Sequence, residues 1–303
     1  MAPLRGRFDV SSWTADFPVP YETLKERIRG VDGLLSMLTD KVDASLLDVA
    51  PNLKVISQMA VGVDNIDTEE CELRGILVGH TPGVLTETVA DTAMALLGAI
   101  ARRIPEGQQA VRDGEWGPWS PDFMTGGDLY GTNLGIVGMG RIGQAVARRA
   151  VGYKMRILYT SRSSVAPVDA ERVPLDNLLR QADHVVVCAA LTSKTRGLIN
   201  SDALEMMKPS AFLVNVSRGP LVVTDDLVSA LRDGVIGGAA LDVTDPEPLP
   251  PSHPLLELSN CLVVPHIGSA SKRTRDAMAR LAVSNLMAGL DGKPMPARFI
   301  ANS

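Results

Sequence analysis

Aromatic residues make up 4% of this 303-residue chain, and histidine and cysteine are scarce, with four and three copies. Cys71, Cys188 and Cys261 are odd in number, far apart and without a C-x-x-C pair. That argues against a disulfide framework and against a zinc site, and leaves the thiols as buried apolar fillers. None of His80, His184, His253 and His266 stands four residues from another. Helical metal ligands often use that spacing, so no metal is expected.

Long apolar runs are missing too. Residues 92–101, the least interrupted stretch, reach about half the ~20 residues that cross a bilayer and read as buried helix. Arg5, Arg7 and Asp9 put charge where a signal peptide needs its apolar core, so a cytoplasmic location is expected. The 30 basic and 35 acidic side chains give a formal charge of −5. With no basic cluster, the attraction that drives nucleic-acid binding is absent. Neither nucleic acid nor membrane is an expected partner. A hydrophobic fraction of 45% excludes disorder.

From residue 132 onward, short β-branched runs alternate with helical patterns, the signature of a parallel sheet covered on both faces. Candidate strands at 134–137, 156–160, 184–188, 212–215, 236–241 and 262–264 make a doubly wound α/β sheet of six. Weaker strand signals at 33–37, 54–59 and 76–79 place a smaller α/β unit before it. Thr86 or Thr88 caps a helix running to about Arg103, and Thr88 with Asp91 resembles a capping box. Residues 89–101 are apolar on nearly every face, so the other domain or a second subunit must cover them. A homodimer is expected partly on this ground. Residues 113–127 gather Trp116 and Trp119 among turn-formers; an ordered loop with aromatic anchors and a functional arm are equally good readings. A helix at 271–290 is expected to return across the first domain. The domains expected are then a discontinuous one, 1–84 with 270–303, and a dinucleotide-binding one, 85–269.

Gly138, Gly140 and Gly143 have G-x-G-x-x-G spacing directly after a strand and at the mouth of a helix. Alone the pattern is weak, but in this context it marks a dinucleotide site. Gly138 allows the tight turn, Gly140 lets backbone approach a pyrophosphate and Gly143 lets helix pack on strand. Arg141 and Ile142 belong to the helix N-terminus, whose N–H groups face the phosphates. A free ribose 2′-hydroxyl usually calls for an acidic residue after the second strand. Between Gly152 and Val168 there is none; Ser161, Arg162 and Ser163 stand there instead. Arg162 suits a 2′-phosphate and the serines offer hydroxyl donors, which favours NADPH, with NADH the weaker alternative. A solvent-facing arginine is the competing reading.

Three further segments each follow a predicted parallel strand: Asn215-Val-Ser-Arg218, Asp242-Val-Thr-Asp-Pro-Glu247, and Pro265-His266. Singly they are unremarkable as a surface arginine, a solvated carboxylate and a packing histidine. Carboxyl ends of parallel strands, however, share one ligand crevice. Hydride transfer to a 2-keto acid needs a cation for the carboxylate, a donor to the ketone, and an acid. Arg218 fits the first two roles and His266 the third. An isolated histidine has a pKa of ~6.5, so a carboxylate must favour its charged form; Glu247 is the candidate. Asp242, at a strand end, suits the nicotinamide amide or a structural role.

Residues 138–143, 215–219, 240–248 and 265–270 resemble the motifs of the D-isomer-specific 2-hydroxyacid dehydrogenases. Residues 53–57, 61–64, 241–250 and 253–256 resemble the glyoxylate reductase/hydroxypyruvate reductase branch. The likeness runs from about 8 to 300. It implies a Rossmann cofactor domain, a flavodoxin-like substrate domain, and reduction of glyoxylate to glycolate and hydroxypyruvate to D-glycerate. It implies further that Val61 and Gly62 N–H groups join Arg218 on the substrate carboxylate. Thr86, Val216, Gly268 and Ser269 would line the cofactor cleft, Ser269 beside the substrate, and the tryptophan loop would be a dimer arm. One departure stands out: family members begin with a strand and helix for which this chain has no residues, which favours a late start codon over an imperfect substitution by residues 1–10. Alternatives are a relative with another keto-acid preference and a dinucleotide-sensing protein of the same fold.

Overall fold

Runs such as His184-Val-Val-Val and Phe212-Leu-Val-Asn are too apolar for a sheet with a wet face, and they become the inner strands of a parallel one. The computed structural model describes residues 2–162 and 168–300. The chain divides into two units, Met1–Leu85 with Ser271–Ser303, and Thr86–Ala270.

In the first unit β1 (Gly33–Ser36), β2 (Val55–Gln58) and β3 (Leu77–Gly79) form a parallel sheet in that order. One face carries Leu46, Leu47, Ile56 and Val78. The other is covered by the helix Lys272–Leu290, whose N-cap Ser271 accepts from the Thr274 N–H. That helix lies so close that a Cβ on Gly289 would stand 2.7 Å from Val55, and Ser57 Oγ donates to the Ala282 carbonyl at 2.7 Å. The first described residues, Ala2–Arg5, are helical, and Leu4 joins Val55, Val283 and Leu286 in a buried cluster with Phe8 and Val10 against it.

The second unit is built on β4 (Asn133–Val137), β5 (Arg156–Thr160), β6 (Glu171–Arg172), β7 (His184–Val187), β8 (Phe212–Asn215), β9 (Gly238–Leu241) and β10 (Cys261–Val263). Their order is β10-β9-β8-β7-β4-β5-β6, all parallel. The sheet therefore has seven strands where the apolar runs predict six. The extra one, β6, is two exposed charged residues and leaves no hydrophobic signal. The strand expected from 236 starts at Gly238, because the Gly237 N–H turns to the Ala211 carbonyl at 2.9 Å. From β4 the strands are added outward through β5 and β6 and then, from β7, on the other side, which makes the gap between β4 and β7 the switch point where such sheets bind ligands.

The helix Thr86–Ala101 packs on β8, β9 and the helix Arg141–Ala150 of its own unit. It does have a polar edge: Arg149 bonds Asp91 at 2.7 Å and Glu87 at 2.8 Å. Since the helix starts at Thr86, Thr88 lies inside it and the capping-box reading of Thr88 with Asp91 fails. Its cover comes from its own sheet, so its apolarity is no argument for a second subunit.

Candidate active site

Gly138 follows β4 in left-handed backbone, φ 100°. A Cβ there would stand 2.6 Å from the Ala189 nitrogen beyond β7, and one on Gly143 would strike the Gly138 carbonyl. Gly140 differs: a Cβ there meets nothing within 4 Å. Gly138 and Gly143 are required by the fold itself. At Gly140 the space is open, and Gly140 is the N-cap of Arg141–Ala150 without a side-chain cap. Open space beside uncapped helical N–H groups fits a pyrophosphate. Arg141 is exposed and Ile142 half-buried at that helix start.

The Thr160 carbonyl, at the end of β5, accepts the Gly138 N–H at 2.9 Å, which sets Ser161 and the exposed Arg162 next to the glycine turn. Arg172 of β6 donates to the Ser161 carbonyl at 2.7 Å; its support of this turn has no signal in the sequence. Ser163 lies outside the described residues.

Beyond the adjacent strands β8, β9 and β10 come the three loops with Arg218, Glu247 and His266. Asn215, wholly buried, shapes the first: its amide donates to the Arg218 carbonyl at 2.9 Å and accepts the Ser217 N–H at 3.1 Å. Ser217 Oγ donates to the Ala189 carbonyl, and Arg218 Nη1 bonds the Ser217 carbonyl at 2.9 Å. Val216, just before, is buried. Gly219 passes so tightly against Thr244 and Asp245 that any Cβ would collide with their backbone. That contact fastens the Arg218 loop to the Glu247 loop. Thr244 Oγ1 donates to the Pro246 carbonyl at 2.8 Å and Thr224 Oγ1 to the Asp245 carbonyl at 2.7 Å.

Glu247 Oε1 meets His266 Nδ1 at 2.6 Å. Burial pushes the Glu247 carboxyl up, but the His266 bond and charge, the Thr244 N–H and the Arg218 charge outweigh it, and it titrates below the ordinary glutamate range. His266 itself is in left-handed backbone, φ 51°, a conformation that costs energy outside glycine and recurs at functional sites. Asp242 holds it there. The His266 N–H donates to the Asp242 carbonyl at 2.9 Å, and the Asp242 carboxylate accepts from the Ile267 N–H at 2.7 Å and the Gly268 N–H at 2.9 Å. Burial, against those bonds, raises its carboxyl above the usual aspartate range. The Gly268 carbonyl accepts Thr92 Oγ1 at 3.2 Å, and Ser269 and Thr86 are both buried. A cavity of about 330 Å³ opens beside the pair, with Asp242, Glu247, Leu249, Leu256 and His266 among its walls.

Val61 and Gly62 lie in the first unit, half-buried on the loop after β2. Of the other histidines, His184 is buried at the start of β7 with Nε2 on the Asp128 carbonyl at 3.0 Å, and His253 accepts the Leu255 N–H at 3.2 Å. Trp116 and Trp119 are 73% and 87% exposed.

The family model for D-isomer specific 2-hydroxyacid dehydrogenase, NAD binding domain, matches residues 94–268. The chain is 48% identical over 297 residues to a glyoxylate reductase/hydroxypyruvate reductase of Mus musculus, covering 96% of this chain and 90% of the relative. It is 46% identical over 301 residues to a glyoxylate reductase of Thermococcus onnurineus, covering 97% and 90%. Among solved structures it is similar to the TT0316 protein of Thermus thermophilus, with a TM-score of 0.93, 48% identity, and 99% and 96% of the two chains covered. Its TM-score is 0.82, at 36% identity, to an NADPH-dependent glyoxylate/hydroxypyruvate reductase of Sinorhizobium meliloti in complex with NADP and malonate, covering 90% and 85%.

Proposed function

Because the chain belongs to the D-isomer specific 2-hydroxyacid dehydrogenase family, and is thus a nicotinamide-dinucleotide oxidoreductase, we propose that it reduces glyoxylate to glycolate and hydroxypyruvate to D-glycerate, with NADPH as the preferred cofactor. The observation that carries the reading is the 2.6 Å bond between Glu247 and His266 Nδ1, on loops past neighbouring strands next to that of Arg218.

Arg218 binds the substrate carboxylate and polarises the ketone, for which a planar fork of donors is suited. The N–H groups of Val61 and Gly62 add to the hold on the carboxylate. A bound reduced nicotinamide supplies the hydride. His266 gives its Nε2 proton to the substrate oxygen as the alkoxide forms, while Glu247 accepts the Nδ1–H and so fixes ring orientation and favours the charged ring. Asp242 acts through the loop backbone, and one oxygen of its carboxylate is also available to a carboxamide. Gly138, Gly140, Arg141, Ile142 and Gly143 hold the pyrophosphate. Thr86, Val216, Gly268 and Ser269 line the remainder. Ser161, Arg162 and Ser163 take the 2′-phosphate, supported by the lack of any acidic side chain at that strand end.

The active form is a homodimer. Trp116, Trp119 and Phe123, 48–87% exposed, stand within eight residues of one another in sequence, and large apolar side chains left open together mark association sites. Sedimentation of the purified protein tests this. A cytoplasmic location agrees with three free cysteines, whose thiols burial pushes up to about 11 for Cys71 and about 12 for Cys188 and Cys261.

The deciding experiment follows nicotinamide absorbance with purified protein, NADPH and glyoxylate. Steady oxidation is expected, and His266→Ala should reduce its rate by ~10²–10⁴. Cofactor binding without oxidation would favour a dinucleotide sensor. A panel of keto acids with both cofactors ranks the substrates.

A further inference from the structure

The loop from Ala60 to Gly62 is held by its carbonyl groups. The Thr81 N–H donates to the Ala60 oxygen at 2.7 Å, and His80 Nδ1 bonds the Val61 oxygen at 2.9 Å. In a trans peptide the C=O and the N–H of the next residue point to opposite sides. Fixing the Ala60 and Val61 oxygens on the segment 80–81 therefore turns the N–H groups of Val61 and Gly62 the other way, together. Among the described residues no protein acceptor takes either N–H. Successive N–H groups facing one side attract a carboxylate.

His80 is itself anchored. Its N–H donates to the Ala297 carbonyl at 3.1 Å, its carbonyl accepts Asn285 Nδ2 at 2.8 Å, and its ring meets the Phe299 ring edge-on at 5.6 Å. Asn285, wholly buried, also accepts the Ala297 N–H at 2.8 Å, and the Phe299 N–H donates to the Val78 carbonyl at 2.8 Å. The C-terminal segment thus clamps the backbone and ring of His80. A ring nitrogen that bonds a carbonyl oxygen must carry a hydrogen, so Nδ1 is the donor.

We propose that His80 is a positioning residue: its Nδ1–H grips the Val61 carbonyl and so aims the Gly62 N–H at the substrate carboxylate. The inference rests on the reading of the substrate as a small 2-keto acid. It adds a side chain that never touches substrate yet sets the affinity for it.

The test compares His80→Phe, which keeps a ring against Phe299 but has no donor, with His80→Asn, whose Nδ2 is attached to Cγ as Nδ1 is in histidine. His80→Phe should raise the KM for glyoxylate about tenfold or more, with kcat within about twofold and the KM for NADPH unchanged. His80→Asn should restore the KM to within about threefold. Glycolate affinity, measured by calorimetry, should follow the same order and needs no turnover. Absence of turnover in the wild type would fell the reductase reading. Equal glycolate affinity in wild type and His80→Phe, or a His80→Asn protein as impaired as His80→Phe, would overturn the positioning role. Should His80→Phe fail to fold, His80→Ala against His80→Asn gives the same comparison.

Discussion

Gly268 and Asp242 meet so closely that a Cβ on the glycine would stand 2.6 Å from the carboxylate oxygen that accepts its N–H. Two buried residues therefore define each other: the carboxylate needs the N–H, and the N–H can reach it only from a residue without a side chain. Gly268→Ala should push the carboxylate off the Ile267 and Gly268 amides and release the turn that carries His266. A fall in kcat of about tenfold or more is expected, with a stability loss of about 1–3 kcal/mol by urea denaturation. Wild-type activity and stability would show that the turn yields without consequence.

Glu247→Gln preserves shape and removes charge. An amide no longer favours a positive neighbour, so the alkaline fall in glyoxylate reduction should begin at lower pH. Since the Glu247 carboxyl titrates below its ordinary range, the wild-type enzyme keeps the anion through neutrality. An alkaline limb that does not move takes Glu247 out of this role.

Arg162→Ala should raise the KM for NADPH by about tenfold or more, as expected for a lost bond between charged groups, and leave the KM for NADH nearly alone. Steady-state kinetics with both cofactors decide the matter. Equal changes would refute a contact with the 2′-phosphate.

Asp43 carries an acid-sensitive part of the stability of the first unit. Bonds from Lys41 and Tyr21, with the Leu46 N–H, hold its carboxyl at about 2 against burial. An unfolded aspartate titrates near ~4. Between these values the unfolded chain binds more protons than the folded one, so this contribution is complete above pH ~4 and disappears as pH falls toward ~2. Asp43→Asn should flatten the pH dependence of the urea midpoint in that window and lower the midpoint at neutral pH. An unchanged slope would contradict the argument.

Much of this architecture is legible in the residues because parallel strands are apolar runs and glycine turns have few substitutes. The runs at 156–160 and 212–215 coincide with β5 and β8, since buried strands on both faces have no polar interruption. Strand adjacency then brings Glu247 and His266 together, as loops that leave the same end of neighbouring strands must be close. What stays hidden depends on approach between backbones. Gly219 reads as an ordinary glycine until Thr244 lies against it. Asp242 suits a cofactor amide or a structural role, and its bonds from the Ile267 and Gly268 N–H groups depend on a turn that no sequence pattern shows. The bond from His80 to the Val61 carbonyl spans 19 residues of sequence and has no periodic pattern at all. Helix 86–101 is misjudged for another reason: periodicity detects an apolar face but not which element covers it.

The first unit is assembled from both ends of the chain, with 185 residues of the second inserted between Leu85 and Ser271. During translation β1, β2 and β3 leave the ribosome long before the helix Lys272–Leu290 that covers one of their faces, and the segment that clamps His80 is made last of all. The inserted unit is contiguous and is free to mature as it emerges. Its partner must wait as a nascent sheet with an uncovered apolar face, the kind of species on which chaperones act. Premature termination even a few residues before Phe299 would therefore leave the inserted unit whole and the first unit without the contacts that hold His80.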